Sequence, residues 1–104
     1  MSNGVRTPSL AVKKVNIAAG VTETFDSIGV QRAVYLPAGI MAQNPILKFG
    51  PNGVSWAPNT TVGLFIQFDE DFDEFTISVP AAATANATGD VLMSGCSNFL
   101  MMGV

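Results

Sequence analysis

The fold class is decided by the stretch Phe75-Thr76-Ile77-Ser78-Val79, in which apolar and polar side chains alternate at every position. Successive side chains of a β-strand point to opposite faces, so this period of two predicts a strand that is buried on one face. Phe75, Ile77 and Val79 are expected to face a core. The stretch therefore predicts a half-buried strand of an all-β protein.

Short runs of the same kind lie on both sides of this stretch, and glycine, proline and asparagine separate them every few residues. The runs are rich in β-branched and aromatic residues, as strands are, and the breaks leave no window for an ordinary helix. About eight short antiparallel strands, spaced by roughly 8–12 residues, predict a single small β-sandwich or jelly roll. The further runs are residues 12–18, 22–28, 30–36, 46–49, 54–56, 62–68, 90–94 and 99–104.

Three segments carry more detailed expectations. Gly50-Pro51-Asn52-Gly53 predicts a hairpin turn between residues 46–49 and 54–56, because Asn-Gly readily adopts positive φ. Residues 62–68 are almost all apolar, which predicts a strand buried on both faces. Residues 80–88 are small and rich in alanine; a loop is the favoured interpretation, and a single helical turn is the alternative.

The chain is expected to divide into an N-terminal arm, residues 1–11, and a β-sandwich domain, residues 12–104. The arm ends near Thr7-Pro8-Ser9, where proline disfavours helix in the residue before it. Residues 99–104 are apolar, unlike termini that are free in water, which predicts a strand that closes the sandwich or is shared with a neighbouring copy. The candidate interface residues in these two segments are Arg6, Pro8, Phe99, Met101 and Met102.

Composition excludes several kinds of chemistry. The chain has no histidine to act as base in a Ser-His-Asp or Cys-His device, and Cys96 is the only cysteine. One cysteine provides neither a disulfide nor a structural zinc site. Five basic against eight acidic side chains, a net charge of -3, form no basic patch for nucleic acid. These particular kinds of catalytic and binding site are therefore not expected, and Cys96 is predicted to be a buried, inert thiol.

Charged residues are 12% of the chain, about half the usual fraction. A folded monomer of this size exposes about 5,600 Å², which leaves roughly one charge per 430 Å². Apolar surface of that extent is normally covered. No apolar run approaches the roughly 18 residues of a membrane helix, and the first eight residues lack the core of a signal peptide. The expected cover is protein, in the form of further copies or a larger assembly; a compact monomer with a neutral polar surface is the alternative.

The stretch Asp69-Glu70-Asp71-Phe72-Asp73-Glu74 holds five of the eight acidic residues. One interpretation is a solvated loop, whose mutual repulsion keeps it extended and blocks edge-to-edge pairing of sheets. A second is a finger that docks on a basic groove of a partner. Glu70 and Phe72 are the candidate interface residues in that case.

A third interpretation of the acidic stretch is a calcium site. Asp69, Asp71 and Asp73 alternate, so an extended backbone would point all three the same way, and calcium binds such clusters of oxygen atoms. The EF-hand pattern is absent, because Glu74 occupies the position of its glycine. The three aspartates are therefore a candidate for a different kind of calcium site.

Trp56 is the only tryptophan and stands in Ser55-Trp56-Ala57-Pro58-Asn59, beside the predicted turn. A single tryptophan is most often part of a core. An exposed ring beside asparagine also suits sugar stacking, and aromatic rings frequently anchor protein interfaces. Core, interface and carbohydrate contact are all open for Trp56 at this point.

Two stretches resemble parts of the small β-sandwich virion proteins of tailed bacteriophages. The first is Val15-Asn16-Ile17-Ala18-Ala19-Gly20-Val21-Thr22-Glu23-Thr24-Phe25, followed by Ala33-Val34-Tyr35-Leu36. The second is residues 75–79, then the loop of small residues, then Asp90-Val91-Leu92-Met93-Ser94-Gly95. In those proteins two units of this kind frame the sandwich. The likeness covers most of residues 12–96.

The resemblance implies a capsid decoration, or cement, protein on the surface of a virion. Such proteins usually form trimers and clamp neighbouring major capsid subunits, and they use no cofactor and catalyse no reaction. The expected partners are further copies of the chain, as a trimer, and a major capsid protein or another virion protein. The alternatives are a carbohydrate- or receptor-binding module of a fibre, which would use Trp56 and the acidic stretch, and a tail or baseplate accessory protein.

Overall fold

The computed structural model of the protein describes residues 10–95. In this part of the chain, seven β-strands account for nearly all of the regular structure. The prediction of an all-β fold is therefore confirmed. In chain order the elements are β1 (Leu10–Ile17), β2 (Thr22–Phe25), β3 (Gln31–Leu36), α1 (Ala38–Met41), β4 (Ile46–Phe49), β5 (Leu64–Phe72), β6 (Phe75–Ser78) and β7 (Ala87–Ser94).

The strands form two sheets that pack as a sandwich. The first has four strands in the order β1-β7-β3-β5, and the second has three in the order β2-β6-β4. Every pairing is antiparallel, as expected. The predicted strand at residues 99–104 lies outside the described residues.

The core lies between the inner faces of the two sheets. Phe75, Ile77 and Val79 are each no more than 2% exposed, which confirms the inward face predicted from their alternation. Each side chain of this size contributes about 1.5–3 kcal/mol when it leaves water, so the core provides the main stabilising term. The four-stranded sheet contributes Val15, Ile17, Val34, Leu36, Val91 and Met93 from its inner face.

β1 begins earlier than the sequence indicates. Leu10 pairs with Ser94 and Ala11 with Met93, so both residues belong to the sheet and the arm predicted over residues 1–11 is too long. The prediction took Val12 as the start because the regular alternation begins there. Pairing with β7 extends the strand further, since a ladder of hydrogen bonds does not require alternation at every position.

A single helical turn, α1, was not expected. Pro37 precedes it with an extended backbone, and the amide groups of Ile40 and Met41 both donate to the Pro37 carbonyl oxygen. A Cβ at Gly39 would overlap the Thr88 carbonyl oxygen, so glycine allows α1 to lie directly against β7. Ile40 and Met41 are fully buried there, and this packing outweighs the poor intrinsic helix formation of so short a segment.

β5 differs from its prediction in burial. Residues 62–68 were expected to be buried on both faces, which is wrong: Val62 is 65% exposed and Gln67 is also exposed. The reason is position, because among residues 10–95 β5 has a neighbouring strand, β3, on one side only. Ile66 and Phe68 pack against the core from the inner face of this strand.

Asp69 to Phe72 of the acidic stretch belong to a strand rather than to the solvated loop that was one interpretation of it. β5 continues to Phe72, and only two residues separate it from β6. Gln31 of β3 pairs with Phe72 of β5, and Ala33 pairs with Gln67, so more residues separate the paired positions on β5 than on β3. β5 therefore bulges between Gln67 and Phe72. Phe72 is 6% exposed and fastens the far end of the bulge to the core. The aspartates and the glutamate between the two phenylalanines are left in water.

The hairpin predicted around Gly50-Pro51-Asn52-Gly53 is present in reduced form. The chain turns back after β4, but residues 54–56 form a single bridge, in which Leu47 and Trp56 exchange two main-chain hydrogen bonds of 2.8 Å. The segment of small residues, 80–86, is a loop as expected. β7 begins at Ala87, before the predicted start at Asp90.

Candidate functional site

A cleft of about 430 Å³ opens between the turn that follows β4 and the acidic half of β5. Residues 49–53 form one wall and residues 68–72 the other. The turn belongs to the chain that leaves the three-stranded sheet, whereas β5 is the outer strand of the four-stranded sheet. The cleft therefore lies where the two sheets meet at one side of the sandwich.

Two glycines determine the conformation of the wall formed by residues 49–53, called the turn wall below. Gly50 has a φ of +80°, and its amide donates to the Glu74 carbonyl oxygen with an N–O distance of 2.8 Å. The Gly53 amide donates back to the Gly50 carbonyl oxygen at 3.3 Å. A Cβ at Gly53 would overlap the Phe49 carbonyl oxygen, so a larger residue cannot close this turn unchanged. The turn wall is thus held by one hydrogen bond within the turn and by another to the residue that precedes β6.

The floor of the cleft is aromatic. The ring centroid of Phe49 lies 4.9 Å from that of Phe68 and 5.3 Å from that of Phe72, and Phe68 and Phe72 are 5.0 Å apart. Phe75 continues the group into the core, 6.0 Å from Phe49 and 4.8 Å from Phe25. These five residues are called the phenylalanine cluster below. Offset and edge-on contacts of this kind add about 0.5–1.5 kcal/mol per pair to simple burial.

The rim of the cleft is acidic. Asp69, Glu70 and Asp71 are all exposed. The Nε of Arg32 donates to Oδ1 of Asp71 at 2.9 Å, with the two side chains 42% and 57% exposed, so water screens this pair. Within residues 10–95 no cation pairs with Asp69 or Glu70. The rim therefore keeps an excess of negative charge.

Carboxylates above aromatic rings suit a cationic guest. An ammonium or guanidinium group gains from the carboxylates and from the negative faces of the rings. The cleft is open and shallow, so a lysine or arginine side chain presented by another protein surface fits it better than an enclosed small molecule does. The arrangement is chemically suited to docking.

The candidate calcium site, the third interpretation of the acidic stretch, is not formed by the described residues. In the part of the chain that the structure describes, no three acidic, cysteine or histidine side chains are grouped so as to hold a metal ion. Asp71 already accepts a hydrogen bond from Arg32, and Asp73 lies in the turn beyond the end of β5. The bulge and the turn separate side chains that a regular strand would have aligned.

The structure buries one of the predicted interface residues, Phe72, and leaves another, Trp56, partly exposed. Phe72 was a candidate for an interface, which is wrong for the folded chain, because its ring is buried in the phenylalanine cluster. Trp56, for which a place in the core was open, is 41% exposed. Its main chain is fixed to Leu47 while part of its ring faces water. Glu70 is exposed as a docking residue must be.

The other interface candidates, Arg6, Pro8, Phe99, Met101 and Met102, lie outside the described residues, as does Cys96. Their predicted contacts stay predictions.

Sequence reasoning missed three contributors to the cleft. Phe49 and Phe68 were assigned only to strands, although each directly precedes a segment that was singled out, the predicted turn and the acidic stretch. Arg32 was not connected to Asp71, because the two are far apart in the chain and meet only through the β3–β5 pairing. The turn at residues 50–53 was predicted, but its position as one wall of the cleft was not.

Comparison of the chain with known protein families, with curated proteins and with solved structures gave no match in any of the three. The resemblance to phage virion proteins therefore stays a prediction from sequence. Among the described residues, no helix is long and apolar enough to cross a membrane.

Proposed function

We propose that the protein is a non-enzymatic structural protein of a virus particle, namely a capsid decoration protein that self-associates and clamps major capsid subunits. The virion setting derives from the sequence resemblance given above. The self-association rests on one observation: large apolar side chains lie in water on a surface with few charges. This proposal places the protein on the outer face of a capsid.

The exposed apolar side chains are more numerous than isolated surface residues require. Three of them, Ile46, Val54 and Trp56, lie on β4 and on the segment that bridges back to it, and Val54 is 84% exposed. Such concentrations on a weakly charged surface are typical of sites that another protein covers. Within the described residues the full set is Val12, Val21, Val30, Ile46, Val54, Trp56 and Val62.

The acidic cleft supports the same proposal. Specific protein interfaces combine apolar contact with complementary charge, which sets the register and excludes wrong partners. Asp69 and Glu70 on the rim, which pair with no cation among residues 10–95, can receive basic side chains of a neighbouring subunit. On a repeating lattice, modest contacts of this kind add up to strong attachment by avidity.

The mass of the purified protein in solution tests the proposal. Sedimentation velocity and light scattering, at concentrations from about 1 to 100 µM, cover the affinity range of interfaces of ordinary size. We expect an oligomer, with a trimer as the favoured state. A protein that stays monomeric over the whole range would contradict the self-association.

A carbohydrate-binding module of a fibre is the second candidate, and the exposed ring of Trp56 favours it. A glycan array separates the two. If the module interpretation holds, the wild-type chain binds defined glycans, Trp56→Ala loses that binding, and Val54→Ala, an exposed neighbour without a ring, retains it. Absence of glycan binding by the wild type removes this candidate. A tail or baseplate accessory protein would use the same contacts as a decoration protein.

A further inference from the structure

The turn wall contains the pair Asn52-Gly53, in which an asparagine directly precedes a glycine. Asn52 is exposed, and both residues line the cleft. Among residues 10–95, no hydrogen bond holds the side-chain amide of Asn52. This amide is therefore free to rotate towards the main chain that follows it.

An asparagine in this setting can lose its side-chain ammonia without an enzyme. The main-chain nitrogen of Gly53 attacks Cγ of Asn52, and a bond forms between the two atoms. The bond between Cγ and Nδ2 breaks, and the proton of the Gly53 amide passes through water to the leaving nitrogen, which departs as ammonia. Water then opens the five-membered succinimide ring at one of its two carbonyl groups, which gives aspartate or isoaspartate. Water is the only co-reactant, and no group is oxidised or reduced.

Gly53 suits the attacking role for two reasons. A glycine has no Cβ to obstruct the approach of its nitrogen, and its main chain adopts conformations that other residues avoid. Its amide is also weakly held, because the N–O distance to the Gly50 carbonyl oxygen is 3.3 Å, just beyond the usual range of about 2.7–3.2 Å. The Gly50 amide, by contrast, lies 2.8 Å from the Glu74 carbonyl oxygen. The Gly53 nitrogen can therefore leave its hydrogen bond while the start of the turn stays anchored.

Two other asparagines of the described chain are followed by residues that hinder the reaction. Asn44 precedes Pro45, whose nitrogen carries no hydrogen to give up. Asn59 precedes Thr60, whose branched Cβ obstructs the approach to the asparagine side chain. Neither position offers a nucleophile as accessible as the Gly53 nitrogen.

The remaining two asparagines of the described chain, Asn16 and Asn86, hold each other. The Nδ2 of Asn86 donates to Oδ1 of Asn16 at 2.9 Å, so neither side chain rotates freely. The residues that follow them, Ile17 and Ala87, are buried members of the core. Within residues 10–95, Asn52 is therefore the asparagine most ready to react.

We propose that Asn52 is a site of spontaneous deamidation, and that the cleft gains negative charge as the protein ages. The inference goes beyond the function proposed above, because it concerns the covalent state of the cleft and holds whatever the cleft binds. An aspartate formed from Asn52 lies on the wall across from Asp69 and Glu70, which pair with no cation among residues 10–95. The modified cleft therefore attracts a cationic side chain more strongly.

The isoaspartate product changes the main chain as well as the charge. The chain then runs through the former side-chain carbonyl group, which places one more carbon atom between Cα of Asn52 and the nitrogen of Gly53. This longer link moves the Gly53 amide away from the Gly50 carbonyl oxygen that it contacts in the unmodified turn. The turn wall opens as a result.

Ageing of the purified full chain tests the inference. The protein is kept in neutral buffer at physiological temperature, and samples are digested and mapped by tandem mass spectrometry, which locates each replacement of an amide by a carboxyl group. Electron-transfer fragmentation distinguishes aspartate from isoaspartate. We expect Asn52 to react at least about tenfold faster than Asn16, Asn44, Asn59 or Asn86, because glycine follows it alone among these five.

Matched variants separate the chemistry from the fold. Asn52→Gln keeps a side-chain amide, but closure onto Gly53 would need a larger ring that forms more slowly, so this position should stay intact. Asn52→Asp reproduces one product and should match the aged wild type in isoelectric focusing, because each adds one negative charge to the net charge of -3. Asn3-Gly4, which lies outside the described residues, is mapped in the same digests as a second pair of this kind. Thermal melting checks that each variant is folded.

Two results would overturn the inference. If Asn52 of the folded chain stays intact while the same chain deamidates there in concentrated guanidinium chloride, the folded turn protects the amide. If another asparagine within residues 10–95 reacts faster in the folded chain, the weakly held Gly53 amide does not decide the site. Neither result touches the self-association, which sedimentation velocity measures separately.

Discussion

At the scale of single residues, Phe72 has the greatest effect on stability within the acidic stretch. Its ring is 6% exposed and touches Phe49 and Phe68. We expect Phe72→Ala to lower the free energy of unfolding by about 3–5 kcal/mol, a large share of the roughly 5–15 kcal/mol of a small domain. Urea denaturation measures this loss. The control is Trp56→Ala, which should cost much less because its ring is partly in water; equal losses would contradict the assignment of Phe72 to the core.

Gly53 is the residue that closes the turn wall of the cleft. A Cβ there would overlap the Phe49 carbonyl oxygen, so Gly53→Ala must displace the turn. Overpacking of this kind costs about 1–3 kcal/mol, and thermal melting would show it. Gly95→Ala is the matched control, since the nearest atom to its added Cβ is the Val30 carbonyl oxygen at 3.6 Å, an ordinary contact. A Gly53→Ala variant as stable as Gly95→Ala would show that the turn is looser than described.

Residue alternation allowed the burial of Phe75, Ile77 and Val79 to be predicted from sequence, because period-two patterns report directly on the two faces of a strand. The burial of Phe72 could not be predicted in the same way. It stands between charged neighbours, and the bulge that turns it inward depends on its pairing partner Gln31, far away in the chain.

At the scale of elements, β7 is one of the two inner strands of the four-stranded sheet, paired with β1 on one side and with β3 on the other. Its main-chain amides are therefore expected to exchange with solvent only when the whole domain opens. Hydrogen exchange followed by NMR would show the slowest rates in β7, and faster rates in the short outer strand β2. Protection of β2 equal to that of β7 would contradict the strand order.

Sequence patterns located most of the strands but not their neighbours. β4 matches its predicted bounds, and β3 and β6 differ from theirs by one residue at one end, because glycine and proline mark these ends sharply. β5 was misjudged twice, since an apolar run reads as a buried strand and an acidic run as a loop. A strand at the end of the described sheet, with one face towards the core and the other towards water, contains both the apolar run and the acidic run. The order of the strands follows from packing over the whole chain, which local patterns do not contain.

At the scale of the whole molecule, association through exposed apolar side chains has a predictable salt dependence. Raising sodium chloride from about 0.1 M to about 1 M shortens the Debye length from ~10 Å to ~3 Å, so exposed charge pairs attract less, whereas apolar contact is not screened. We expect the wild-type oligomer to persist over this range in sedimentation velocity. An oligomer that dissociates progressively with salt would instead point to charged groups, such as those of the acidic rim, as the dominant contact.

The trimer expected for the assembly has a geometric requirement. In a heterologous contact each copy offers a different surface to each of its two neighbours, so the contacts close into a ring only if the rotation between copies divides a full turn, and otherwise continue as a filament. A trimer requires the closed case.

The position of Trp56 supplies an internal reporter. It is the only indole in the chain, and its main chain is fixed to Leu47 of β4. Its fluorescence emission should shift to the blue when a second copy covers the exposed apolar side chains beside it, and hold its wavelength when copies join through another surface. Unlabelled protein, excited selectively at the indole, thus reports which surface of the sandwich an association uses.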